Sequence, residues 1–143
     1  ALIDVDTPDK VESFELETFE QIYFVTSFDM YSIKRGLESI SGLQNKINVT
    51  KVVFAKEILK EEDDYLNFLT AGSKIVWNEE IIYLPFEVGD ETVIYNNQRV
   101  SKIKFKKLSN QYKEGLMYIS SKILEDVDER LIRNTFRKIE KGV

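Results

Sequence analysis

Cysteine and histidine are both absent from this 143-residue chain. Without cysteine there are no disulfides and no thiolate chemistry. Without histidine the chain lacks the usual general base, the commonest metal ligand and the ordinary proton shuttle near neutrality. Zinc sites of the common kinds are therefore not expected, and any catalysis must rest on carboxylates, Lys, Tyr, Ser/Thr or a bound ion. No run approaches the roughly 20 apolar residues of a membrane span. The first residues lack the basic-then-apolar pattern of a secretory signal, so a cytoplasmic location is the expectation. What the chain does have is 43% hydrophobic and 12% aromatic residues, enough for a core in one domain of this length. Its net charge of -5 gives no bulk attraction for nucleic acid.

Charge is uneven along the chain. Residues 1–30 carry eight acids and one base, and residues 101–143 carry eleven bases and six acids. This reads first as solvated faces and second as an acidic site at the front with a partner-binding basic surface at the back. Lys102, Lys104, Lys106 and Lys107 interleave with Ile103 and Phe105, a pattern suited either to a solvated edge or to an anion, DNA or lipid contact.

The apolar pattern predicts alternating elements. Leu2–Val5 reads as a short strand stopped by Pro8, and residues 11–19 as a short acidic helix. Residues 21–26 are β-branched and aromatic, as a buried strand requires. Met30, Ile33, Leu37, Ile40 and Leu43 give a helix capped by Ser27 or Asp29 and ending near Gly42. A strand follows over 47–55, then a helix over 60–69 closed by Gly72. Residues 74–77 and 81–84 suggest a small hairpin around Asn78-Glu79-Glu80, and residues 87–97 a loop. Two further amphipathic helices follow, one through Leu108, Tyr112, Leu116, Ile119 and Ile123, the other after Asp126. Trp77 and the tyrosines read as core and interface residues. Strands alternating with helices argue for right-handed parallel crossovers. The expected fold class is α/β, a partial parallel sheet flanked by helices, as one domain over 1–143 with an appended helix over 126–143.

Three segments resemble, in the same order, those of MinD/ParA-like P-loop ATPases, and most closely the CpaE/TadZ branch linked to pilus assembly. Leu2-Ile-Asp-Val-Asp-Thr-Pro8 resembles that family's apolar strand ending in Asp-Thr-Pro. Ile22-Tyr-Phe-Val-Thr-Ser-Phe-Asp-Met-Tyr-Ser-Ile-Lys34 resembles its next strand and helix. Val52-Val-Phe-Ala-Lys56 and Ile82-Tyr-Leu-Pro-Phe-Glu87 resemble its two adenine-side segments. The resemblance covers residues 1–124 as order and spacing. It implies the C-terminal half of a P-loop NTPase-like Rossmannoid fold, with ATP and Mg²⁺ as cofactors of the intact parent. On that footing Asp6 is the catalytic carboxylate. Asp6 and Asp4 are the Mg²⁺-side acids, since Mg²⁺ prefers oxygen ligands and keeps its waters. Ala55, Lys56, Pro85, Phe86 and Glu87 form the nucleotide-base side. Lys34 and Arg35 read as an exposed helix face or as phosphate or partner contacts.

Two departures qualify these expectations. The Gly-rich loop ending in Gly-Lys-Thr/Ser occurs nowhere in the chain, which is therefore read as part of a longer protein and as unable to hydrolyse nucleotide unaided. Ala55 stands where the family places an Asn that reads the adenine edge, and an alanine side chain can neither donate nor accept. The expected partners are a second copy or the missing N-terminal half, together with components of a pilus or secretion assembly. Nucleic acid is not expected as a partner. The alternative reading is a stand-alone α/β interaction or receiver-like module with no nucleotide role.

Overall fold

The computed structural model describes residues 2–5, 8–57 and 60–142. The chain divides into two compact units. The first is Ala1–Phe54 with Leu59–Ile81, and the second is Ala55–Ile58 with Ile82–Val143. The architecture is α/β: three parallel strands flanked by helices.

The strands are β1 (Tyr23–Ser27), β2 (Ile47–Ala55) and β3 (Ile75–Pro85), in the spatial order β1-β2-β3. β1 lies parallel to β2 with Tyr23 beside Thr50 and Ser27 beside Phe54. At its start β2 meets β3 through the Ile47 N–H, which donates to the Lys74 carbonyl at 2.9 Å. At its end the Phe86 N–H donates to the Ala55 carbonyl at 3.3 Å, so both strands advance in the same direction. β2 is the central strand and is buried on both faces. Its neighbours Val52 and Val53 point to opposite sides, yet both have no exposure, as parallel sheets require.

In the first unit, α1 (Pro8–Glu12) and a 3-10 turn (Leu16–Thr18) precede β1. α2 (Met30–Ser39) follows it, opened by Asp29, whose carboxylate accepts from the Ser32 N–H at 2.8 Å. Ile33 turns inward from α2 and is buried. α3 (Lys60–Thr70) buries Leu66 and ends before Gly72, whose φ of 80° is the left-handed conformation that favours glycine. In the second unit come α4 (Val88–Val100), α5 (Asn110–Ile123) and α6 (Glu129–Lys141). Helix α5 closes on β3 at Gly115, where a Cβ would lie 2.8 Å from Leu84 Cδ2 and 3.2 Å from the Tyr83 carbonyl oxygen. Helix α6 packs on α5 through buried Ile132, and Phe136 meets Phe105 with ring centroids 5.4 Å apart.

Four sequence expectations need correction. Leu2–Val5 is not a strand: it carries no regular structure, and Leu2 is 80% exposed. Pro8 opens helix α1 rather than ending a strand, a first-turn position where its missing N–H costs nothing. The hairpin over 74–84 is instead the single strand β3, which carries Asn78-Glu79-Glu80 in its exposed middle. The loop over 87–97 is instead helix α4; its entry is held by Asp90, which accepts from the Glu87 N–H at 2.8 Å.

Candidate functional site

The family-implied base-side residues converge at the carboxyl ends of two parallel strands, all within the second unit. Ala55 is the last residue of β2 and Lys56 follows it, exposed. Pro85 is the last residue of β3, and half-buried Phe86 and exposed Glu87 lead into α4. The Phe86 N–H bond to the Ala55 carbonyl joins the two turns. The strand ends thus present a short array of main-chain groups with an aromatic ring and an ammonium beside them.

A buried carboxylate fixes this array. Asp90, 1% exposed, accepts from the Glu87 N–H at 2.8 Å, from the Ser109 hydroxyl at 2.6 Å and from the Ser109 N–H. The Ser109 oxygen in turn accepts from the Tyr112 N–H at 3.3 Å and so caps α5. One side chain therefore ties the starts of two helices to the end of β3. Burial works to raise the Asp90 pKa. Hydrogen bonds from the Ser109 hydroxyl and amide and from the Glu87 amide, with the charge of Lys113, outweigh it and hold the carboxyl below its ordinary value. Burial, followed by the Asp90 charge, pushes the Tyr112 phenol up.

The first unit holds a second buried charge that sequence reasoning missed. Lys51, in the middle of β2 and 2% exposed, donates to Asp63 at 2.6 Å and to Asn67 at 2.5 Å. Its ammonium also lies 5.1 Å from the Trp77 ring centroid. The Trp77 indole N–H donates to the Thr70 hydroxyl at 2.7 Å, and that hydroxyl donates to the Leu66 carbonyl at 3.0 Å. The knot links α3 to β2 and β3 and leaves the ammonium enclosed, so Lys51 is a structural cation. The one sequence signal was a lysine set among Val49, Val52 and Val53 in a strand otherwise fit for burial.

Asp4 stands exposed in the irregular opening segment, and Asp6 lies outside the described residues. Among the described residues no group of three or more acidic side chains is placed to hold a metal ion. Lys34 and Arg35 are exposed on α2. Lys102 and Lys104 run through an exposed loop pinned by Asn97, which donates to the Lys104 carbonyl at 3.3 Å and accepts from its N–H at 3.1 Å.

Two open clefts are present elsewhere. One of 530 Å³ in the first unit is lined by Lys34, Leu37, Ile40, Leu43, Leu69 and Ile75 where α2 and α3 end. The other, of 470 Å³, follows α6 at Arg130, Arg133 and Arg137, with Arg133 forked onto Glu114 at 2.9 and 3.0 Å. Neither is lined by Ala55, Lys56, Pro85, Phe86 or Glu87. No helix among the described residues is long and apolar enough to cross a membrane. Set against family models, curated proteins and solved structures, the chain matches none of them.

Proposed function

We propose that this chain is the base-side half of a MinD/ParA-like ATPase or pseudo-ATPase. In this reading it is a cytoplasmic switch that positions or times an assembly, such as a pilus or secretion machine, through ATP-dependent dimerisation. By itself it hydrolyses no nucleotide. The observation that carries the reading is the meeting of Ala55-Lys56 with Pro85-Phe86-Glu87 at the carboxyl ends of adjacent parallel strands. Ligands of open α/β sheets bind beyond those ends. Main-chain N–H and C=O groups there can pair with a base edge even though Ala55 brings no polar side chain, and the Phe86 ring offers a stacking face. Asp90 preorganises the turn by holding the Glu87 amide. Asp6, with Asp4 beside it in sequence, is the carboxylate through which Mg²⁺ and its waters would be held once a Gly-Lys-Thr/Ser loop cradles the phosphates.

Amide chemical-shift mapping tests this. Adenosine, ADP and ATP with Mg²⁺ are each titrated into the chain. The expected result is weak, saturable shifts at Ala55–Glu57 and Phe86–Val88, lost in Phe86→Ala. Shifts that are absent, or that fall only elsewhere, overturn the reading. In a polypeptide that also supplies the phosphate loop, ATP with Mg²⁺ should convert monomer to dimer.

A second reading, an interaction module without nucleotide, draws on α3. There Tyr65 and Phe68 stack with centroids 6.2 Å apart and Phe68 is 73% exposed, the kind of aromatic pair that anchors protein interfaces. A flat nucleotide titration together with partner binding that Phe68→Ala abolishes would select it.

A further inference from the structure

Helix α3 (Lys60–Thr70) has two faces of different character. Its inner stripe is Asp63, Leu66 and Thr70, spaced i, i+3, i+7 and all buried. Its outer stripe is Glu61, Asp64, Tyr65 and Phe68, spaced i, i+3, i+4, i+7 and all exposed. The Tyr65 and Phe68 rings stack at an interplanar angle of 19°, so they offer adjoining aromatic faces. The helix itself does not account for this stripe. Acids in a first turn favour the helix dipole, which covers Glu61 and Glu62. Asp64 lies beyond that turn, and aspartate is a poor helix former. Asp63 is the acid that holds Lys51, and Leu66 supplies the buried apolar contact. Neither Asp64 nor the two rings are needed for those tasks. An apolar patch rimmed by charged residues is instead the pattern of a docking surface.

We infer that this outer face of α3 docks an arginine-bearing apolar segment of a different polypeptide. A guanidinium is planar and weakly hydrated, stacks on aromatic rings and forks onto carboxylates. The stripe offers rings and carboxylates side by side on one helix face. Aliphatic side chains next to the arginine cover the remaining ring surface. Charge decides among the occupants. Nucleic acid and anionic lipid headgroups are repelled by Glu61 and Asp64. The same helix from a second copy would set these acids against each other, a like-charge contact. A wholly apolar segment would desolvate both carboxylates without a counter-charge. Tyr and Arg are also the residues enriched at binding hot spots. A contact this small sets the expectation of micromolar affinity. The inference goes beyond the nucleotide reading; it rests on the interaction reading of α3 and gives that reading a partner chemistry.

The test is amide chemical-shift mapping of the whole chain with three synthetic helical peptides. Each sets Leu beside a second residue type along one face of an Ala background: Arg in the first, Lys in the second, Glu in the third. The Leu–Arg peptide is expected to shift the α3 amides saturably and to bind more tightly than Leu–Lys, because only guanidinium stacks flat. The Leu–Glu peptide is expected to leave α3 unmoved. Phe68→Ala weakens Leu–Arg binding at least about tenfold, with far-UV circular dichroism unchanged. Glu61→Lys with Asp64→Lys abolishes it and admits the Leu–Glu peptide instead. Glu38→Lys with Glu79→Lys, both exposed and off α3, makes the same change in net charge and leaves the α3 shifts intact. No α3 shift with Leu–Arg, or Leu–Lys binding as tight as Leu–Arg, overturns the inference. Equal loss in both double variants means general charge attraction and overturns it too. A Leu–Glu peptide held at Phe68 overturns the arginine chemistry alone and leaves the interaction reading standing. Self-association of the chain that Phe68→Ala abolishes assigns the face to a second copy and overturns the foreign partner. No arm contains nucleotide, so the nucleotide reading is decided by its own titration.

Discussion

Each unit encloses a charged group, Lys51 in the first and Asp90 in the second, and the two are kept in opposite ways. In the first, the Lys51 cation is met by a full counter-charge, Asp63 at 2.6 Å, with Asn67 and the Trp77 face completing the shell. In the second, the Asp90 anion is met chiefly by neutral donors, two amides and one hydroxyl, with Lys113 contributing its charge. An ion pair is worth little net once desolvation is counted, but it is costly to half-remove. A carboxylate held by amides at helix starts instead uses donors that would otherwise be unsatisfied. The first device makes α3 conditional on β2. The second organises the turn that carries Phe86 and Glu87.

The largest expected effect follows from removing one partner of the pair. Asp63→Ala leaves Lys51 buried without its counter-ion and should cost about 3–5 kcal/mol in urea unfolding. Lys51→Met combined with Asp63→Leu should recover most of that loss. A double variant no more stable than Asp63→Ala would mean that the two knots do not differ as described. Next in size, Asp90→Ala leaves the Glu87 and Ser109 amides without their acceptor. About 2–3 kcal/mol should be lost, with faster amide exchange at Glu87 and Ser109 as the local readout.

A smaller, pH-dependent effect separates the knots. The folded-state pKa of Asp90 lies below its ordinary value of 3.8. Its contribution is therefore present in full above the unfolded-state pKa and is lost as pH falls through the folded one. Asp90→Asn should flatten the decline of stability in acid below about pH 4, and an unaltered slope would count against a charged Asp90. The smallest effect is a gain. Nothing lies within 4 Å of a Cβ built on Gly89, in the first turn of α4. Gly89→Ala should therefore raise stability by up to about 1 kcal/mol, read from the thermal midpoint.

Much of the fold was legible wherever burial and periodicity coincide. β2 emerges with the bounds read from its β-branched run, and α2, α3, α5 and α6 follow their apolar spacing. Legibility failed where local chemistry pointed one way and tertiary context the other. Gly89 and Asn96-Asn97 are turn formers, yet α4 runs through all three, because Asp90 secures its first turn to Ser109, nineteen positions away. Asn78-Glu79-Glu80 looks like a turn but is an exposed stretch of an outer strand, where polar side chains are tolerated. Leu2-Ile-Asp-Val5 has a strand's composition but no neighbour among the described residues to pair with. The strand-end cluster at Ala55 and Phe86 was found through a family resemblance. The Lys51 knot, which no motif announces, was not.

Trp77 is the chain's single tryptophan, and it sits in the first unit, hydrogen-bonded to Thr70 and beside the Lys51 ammonium. Its emission is thus a built-in lamp for one half of the molecule and blind to the other. Denaturation followed by tryptophan fluorescence registers the loosening of α3 from the sheet, whereas far-UV ellipticity sums every helix and is weighted toward α4, α5 and α6 of the second unit. Superimposable curves would mean that the halves melt as one cooperative body, and separated curves would order them in time and temperature without a label being added.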